Sequence, residues 1–440
     1  MAYSKFTQPK NCTIKTGDWY GVAGLELSNP DLTRIGGDIS NHADLPVQSL
    51  IRGCVVNDNG SVNYYLKLDD WSKKEDNTAS NLDGTDGQVM VEIPEHYYLD
   101  WTDSEVQKSA ISLSNLSGFN KFNKSYIGAY SATAYRPSKK LSSVKNNGVD
   151  YRGGNNNASW DAQDNTLLGK ALSNLPIQAL PANVGEDYRT YAQNRGSIWH
   201  PLTWKTHTAV QRLFMIEYAT KNSQKAVDLT LTPEGYKKGG IGMGVTTVNQ
   251  TELETFNNRY PFVPIGHSDS LANGSGEVNY TTLFNTPENV KVCRYRGIEN
   301  LHGNIHELVE GLVAKFDHDN RRIAVYMINN PDDFTCNDET KGTLIGYIDE
   351  QSGNIKTIQN NTFLPIDTTG LATYETYLCD RGHFTLANES FEYLHVRTKG
   401  YPYSSVNSNS AGLFWIKIED TFSLTFNYIG TRLCCHPNGY

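Results

Sequence analysis

The sequence predicts an α+β chain, and three observations predict it. Short runs with two-residue alternation of apolar and polar side chains recur from about residue 46. A single long stretch, Trp204 to Asn222, places apolar residues at helical spacing. After Gly311 the chain is punctuated by turn residues as a series of hairpins would be.

Residues 1 to about 45 are rich in Gly, Asn and Asp and have few periodic apolar positions. They read as a short attachment arm, too small to fold without a partner. A β-rich region is expected over 46–150, either separate or part of the globule that 151–440 forms. Val62 to Leu68 follows the Asn57-Asp58-Asn59-Gly60 turn and reads as a strand. Gln88 to Pro94 places Val89, Val91 and Ile93 on one face, as a half-buried strand does. Asp83-Gly84-Thr85-Asp86-Gly87 before it is turn chemistry and lacks the spaced ligands of a calcium loop. Residues 144–165 are poor in apolar groups and read as a surface loop.

The helix expected over Trp204–Asn222 has Thr203 as its N-cap and presents Val210, Leu213, Phe214, Ile216 and Ala219. A shorter helix is expected near Leu168 to Asn174. Gly235 to Val245 holds five Gly without a phosphate-loop pattern, and reads as a tight loop where backbones approach closely. Ile323 to Ile328 is a strong strand, and Tyr428 to Cys434 a closing core strand.

Composition narrows the function. Charged residues are only 20% of the 440, while Tyr occurs 26 times, so the surface offers neutral hydrogen-bonding groups and amphipathic rings. The net charge of -9, without a basic stripe, argues against a nucleic-acid partner. No run of about 18 apolar residues is present, so no membrane insertion is expected. The N-terminus lacks the apolar core of a signal peptide, which predicts folding in a cytosol. The seven Cys show no repeated pairing and no CxxC, as expected of dispersed buried thiols. A disulfide between adjacent Cys434 and Cys435 is the alternative for that pair.

The segment Tyr295 to Gly311 reads YRGIENLHGNIHELVEG. It resembles the signature of the formylglycine-generating-enzyme type of C-type-lectin-like fold. Arg152-Gly153-Gly154 to Trp160, the Trp204–Asn222 helix and the closing Gly430-Thr431-Arg432-Leu433 resemble further parts of it in the same order. The resemblance implies a C-type-lectin-like domain with loop insertions over 151–440. The family uses this fold to oxidise a sulfatase cysteine, or as a scaffold for ligand binding in phage tropism determinants. Leu82 to Ile93 also resembles a segment of phage tail and fibre proteins, which favours the scaffold use.

The oxidase needs two cysteines that converge on copper. Cys336 and Cys379 are 43 residues apart in sequence and Cys434-Cys435 lies beyond the closing motif, so neither matches the family's pair. His302 and His306 would share a face on a helical turn, as zinc ligands do, with Glu307 or Glu310 as carboxylates for a non-haem iron. The sequence is not His-Glu-x-x-His and shows no third ligand, so no metal and no cofactor are expected. Adjacent carboxylates such as Asp332-Asp333 and Glu419-Asp420 point to opposite faces of a strand and cannot act on one bond together.

A non-catalytic recognition protein is therefore expected. The resemblance places ligand contacts between about Tyr401 and Asn427, on Tyr401, Tyr403, Phe414, Trp415, Lys417, Glu419 and Phe422, with about half of them in the core. It implies a phage virion surface protein, on tail or head, made in the host cytoplasm. The arm would tether it to other virion proteins. A host-surface glycan or protein would be its ligand and a homotrimer its first-choice assembly. The alternatives are an oxidoreductase of the formylglycine-generating type and a purely structural decoration protein.

Overall fold

The computed structural model describes residues 17–24, 31–104, 106–155, 167–349, 352–368, 381–384, 391–400 and 411–440. Its strands pair where alternation predicts them. Val62–Lys67, Gln88–Ile93 and Arg322–Met327 are all strands. Gln88–Ile93 is buried at every position, rather than on one face, because it is an inner strand of its sheet with packing above and below.

That sheet has seven strands, in the order Trp199–Pro201, Arg432–Cys435, Ser125–Ser131, Gln88–Ile93, Arg52–Val56, Val62–Lys67 and Asp70–Lys74. It joins residues on both sides of the boundary expected near 150, with the closing strand between Ser125–Ser131 and Trp199–Pro201. A five-stranded antiparallel sheet includes Tyr20–Ala23 and Thr33–Gly36, from within the expected arm. Tyr20 lies opposite Ile111 there. A third, larger sheet is built from the 306–430 region around Leu312–Asp317, Tyr393–Gly400 and Ala411–Thr421. Strand His306–Leu308 joins it and also pairs in parallel with Ile429–Gly430.

The α+β expectation is corrected by this architecture. The fold is about 40% strand and 15% helical, mostly β with several sheets. Only Trp204–Tyr218 is a long helix among the described residues. The Leu168–Asn174 helix does not form. Leu172, Ser173 and Asn174 instead donate their N–H groups to Ala132, Gly154 and Ile429, so the segment is threaded between other segments of the fold.

The long helix starts as expected, with Thr203 Oγ1 accepting from Thr206 N at 3.3 Å. It stops four residues early, because Ala219 turns left-handed at φ 47° and Thr220 bridges Asp31. It is buried almost all round, which its polar residues tolerate only by pairing. Arg212 meets Asp100 on the five-stranded sheet, with Nε to Oδ1 at 3.1 Å and Nη2 to Oδ2 at 2.5 Å. Gln211 donates to Leu413 O at 3.0 Å, and Glu217 takes a two-pronged contact from Arg296.

Gly303 stands where the backbone needs glycine. Its φ is +74°, and a Cβ there would lie 2.2 Å from Val245 O, the carbonyl that accepts from Asn304 N at 2.8 Å. Gly303→Ala is expected to destabilise the fold by about 1–3 kcal/mol from backbone conformation alone, with the clash added. A urea midpoint that falls while the m-value stays constant checks it.

Candidate functional site

The acidic residues of the 295–311 segment are buried and partnered. Glu299 accepts from Gly266 N and from Ser268 N and Oγ, at 2.7 to 2.9 Å. Burial pushes its carboxyl up, and nearby Asp269 adds to that. Glu310 is fully buried beside Arg189 and His200. Burial works to raise its carboxyl, but Arg189 and His200 overcome that and hold it below the ordinary range. Glu307 lies beside Gly430 in the parallel strand pair and is ion-paired to Arg432, two residues further on.

The two histidines do not share a helical face, which corrects that expectation. His302 lies in a bend, packed against Gly244. His306 lies in a strand, stacked on Trp415 with ring centroids 4.8 Å apart and 19° between planes. Burial, then Arg397 and Lys417, push the His306 imidazole well below its ordinary range. Among the described residues no group of three or more His, Cys, Asp or Glu is placed to hold a metal.

The described cysteines are buried thiols. Cys434 and Cys435 are buried and not joined to each other, as their alternation along a strand requires. Burial pushes Cys336 up to about 11. Cys12 and Cys379 lie outside the described residues.

The residues expected to contact ligand divide. Tyr401 and Tyr403 lie outside the described residues. Phe414, Trp415 and Phe422 are buried, at 8% exposure or less. Lys417 and Glu419 are half-buried and ion-paired to each other, and Glu419 also lies 3.6 Å from Arg397. The strand Ala411–Thr421 turns its rings inward because it is an inner strand of the large sheet, between Tyr393–Gly400 and Arg381–Phe384.

The rings that reach the surface come just after it. Residues 425–428 leave the sheet before the closing strand and form one wall of a cleft of about 340 Å³. Phe426 and Tyr428 are half-buried and stacked, 5.1 Å apart with 15° between planes. Tyr428 is held edge-on against His306 at 5.6 Å. The opposite wall is Glu254, Asn258 and Arg259, at the C-terminal end of helix Gln250–Asn257. Asn427 Nδ2 donates to Asn258 O at 2.9 Å and ties the walls together. Hydrogen bonds from Gln250 and Arg259 hold the Glu254 carboxyl below its ordinary range, so it is a carboxylate at neutral pH.

Backbone strain marks this corner. Asn258 and Arg259 both have left-handed φ, +48° and +62°. For Arg this is an uncommon conformation, held by its N–H bond to Leu253 O at 3.0 Å. The wall contributed by 254–259 is invisible to local reading, since no motif marks it and 170 residues separate it from Tyr428.

The fold and the cleft together define a mostly-β chain with a ring, amide and charged-group cleft on a rigid scaffold. No protein-family model matches the chain, and no curated protein matches it. Among the described residues no helix is long and apolar enough to cross a membrane.

Proposed function

We propose that the chain is a phage virion surface protein, of tail or head, that binds a host-surface glycan through the Phe426–Tyr428 cleft. The stacked, half-exposed ring pair facing Asn258, Arg259 and Glu254 is the observation that carries this reading. Ring faces suit the apolar C–H faces of sugars. Planar amide, guanidinium and carboxylate groups beside them suit hydroxyl pairs. The richness in Tyr and neutral polar residues fits a recognition surface of this kind. The resemblance of 295–311 to the lectin-like signature, and of 82–93 to phage fibre proteins, supports the virion setting. Display as a trimer would raise weak single-site affinity.

Phe426→Ala is expected to weaken binding to a host-surface polysaccharide about tenfold, the loss of one anchoring ring. Titration of the purified chain with polysaccharide from the host envelope reads this directly. Equal affinity of the variant would remove the cleft from the reading. Unchanged adsorption by virions lacking the protein would favour a purely structural decoration role instead.

A further inference from the structure

A second cleft, of about 450 Å³, opens on another face, between the hairpin Val227–Leu231/Lys237–Gly239 and strand Thr33–Gly36. Its charged lining is four cations, Arg34, Lys225, Lys237 and Lys238, against two carboxylates, Asp31 and Asp228. That excess stands out in a chain of net charge -9. Lys225 is engaged with Asp31 at 2.8 Å. Lys237 and Lys238 form no ion pair among the described residues. Arg34 lies over the Tyr236 ring at 5.0 Å and gives one Nη2 bond, at 2.6 Å, to Lys237 O. Its Nε is buried and meets no acceptor. Asp31 and Glu234 lie within electrostatic range of Arg34 but leave that nitrogen unmatched. The C-terminal end of the long helix faces the cleft at Tyr218 and Ala219 and works against an anion, so the cations must outweigh it; Ala219 O itself accepts from Leu32 N at 2.7 Å.

We infer that this cleft binds an acidic saccharide by its anionic group. The cations supply the countercharge. The Tyr218 ring and Leu32 offer an apolar wall. A bare inorganic anion would leave most of the volume unfilled. The cleft is separate from the one at Phe426, so the inference does not depend on that reading.

Calorimetric titration of the whole chain with glucuronate, glucose and sulfate tests it. Glucuronate is expected to bind and glucose not to, with the affinity falling as salt rises. The double substitution Lys237→Gln and Lys238→Gln should weaken glucuronate at least tenfold. Both lysines sit on a surface hairpin, and an unchanged melting curve will show that the fold is intact. Phe426→Ala should leave glucuronate binding untouched, which keeps failure here distinct from failure at the other cleft. Glucuronate no tighter than glucose, or unaffected by the double substitution, overturns the assignment. Sulfate bound as tightly as glucuronate also overturns it, leaving a site for simple anions.

Discussion

Glu307→Ala is expected to lower the stability of the chain by about 3–5 kcal/mol, because it strands a buried guanidinium. Arg432 is fully buried and Glu307 is 1% exposed. Arg432 Nη2 lies 3.1 Å from Glu307 Oε1. The same guanidinium donates to Gly128 O at 2.8 Å and to Glu299 O at 2.7 Å, and Ser131 Oγ donates to the carboxylate at 3.2 Å. One pair thus fastens the closing strand to Ser125–Ser131 and to both halves of the signature segment. Glu307→Gln keeps the acceptor oxygen and should cost clearly less than Glu307→Ala. Urea unfolding of the three proteins decides the matter. A loss under about 1 kcal/mol for Glu307→Ala would mean that water reaches Arg432, and that the pair is not the fastening described.

That pair also shows how far the sequence could be read. Gly430-Thr431-Arg432-Leu433 and the Gly, Asn and Glu of the 295–311 segment stand out as patterns, and the structure joins them through Glu307 and Arg432. Single strands were legible for the same reason: Val62–Lys67 and Arg322–Met327 carry alternation or a β-branched run between turn residues. The long helix was legible at its start, where Thr203 caps it locally, and less so at its end. Ala219 leaves the helix because of a partner far away, the bridge from Thr220 to Asp31. Leu168–Asn174 misled because its backbone N–H groups are claimed by Ala132, Gly154 and Ile429, a tertiary choice that overrides local propensity. The fold class failed in the same way. One well-formed helix carries a local signal, whereas the number of pairing strands depends on contacts between distant segments.

The site was half legible. The stretch ending at Asn427 was marked by its rings, but alternation alone does not tell which rings face inward. Phe414 and Trp415 are adjacent and both are buried, because packing covers the two faces of an inner strand. Phe426 and Tyr428 reach the surface because the chain leaves the sheet before them. Their partners Glu254, Asn258 and Arg259 come from a short helix with no signature of its own.

Acid should unfold this protein well before its carboxylates titrate, and its buried imidazoles are the reason. Burial pushes His96 and His383 down to about 4. His306, His395 and His436 are held well below the ordinary value by burial and by neighbouring cations. The neighbours of His306 include Arg397 and Lys417, with His383 and His395 close by. In the unfolded chain each imidazole takes up a proton below about pH 6.5. The folded chain refuses that proton until about pH 4 at His96. Between those limits the unfolded state binds more protons, so stability is full above about pH 6.5 and falls as the pH drops. At His96 that difference removes about 2 kcal/mol by pH 5, and the other buried imidazoles act in the same direction. Glu299 works the other way, since its raised carboxyl takes up a proton in the fold first, but it is a single group. The expected result is a urea midpoint that drops steeply between pH 7 and pH 5. His96→Phe should flatten that slope by about 2 kcal/mol over the same interval, because Phe cannot be protonated; losing the 2.9 Å hydrogen bond between Nδ1 and Pro94 O lowers the midpoint at both pH values and leaves the slope difference to be read. Equal midpoints at pH 7 and pH 5 would show that these imidazoles gain protons in the folded state.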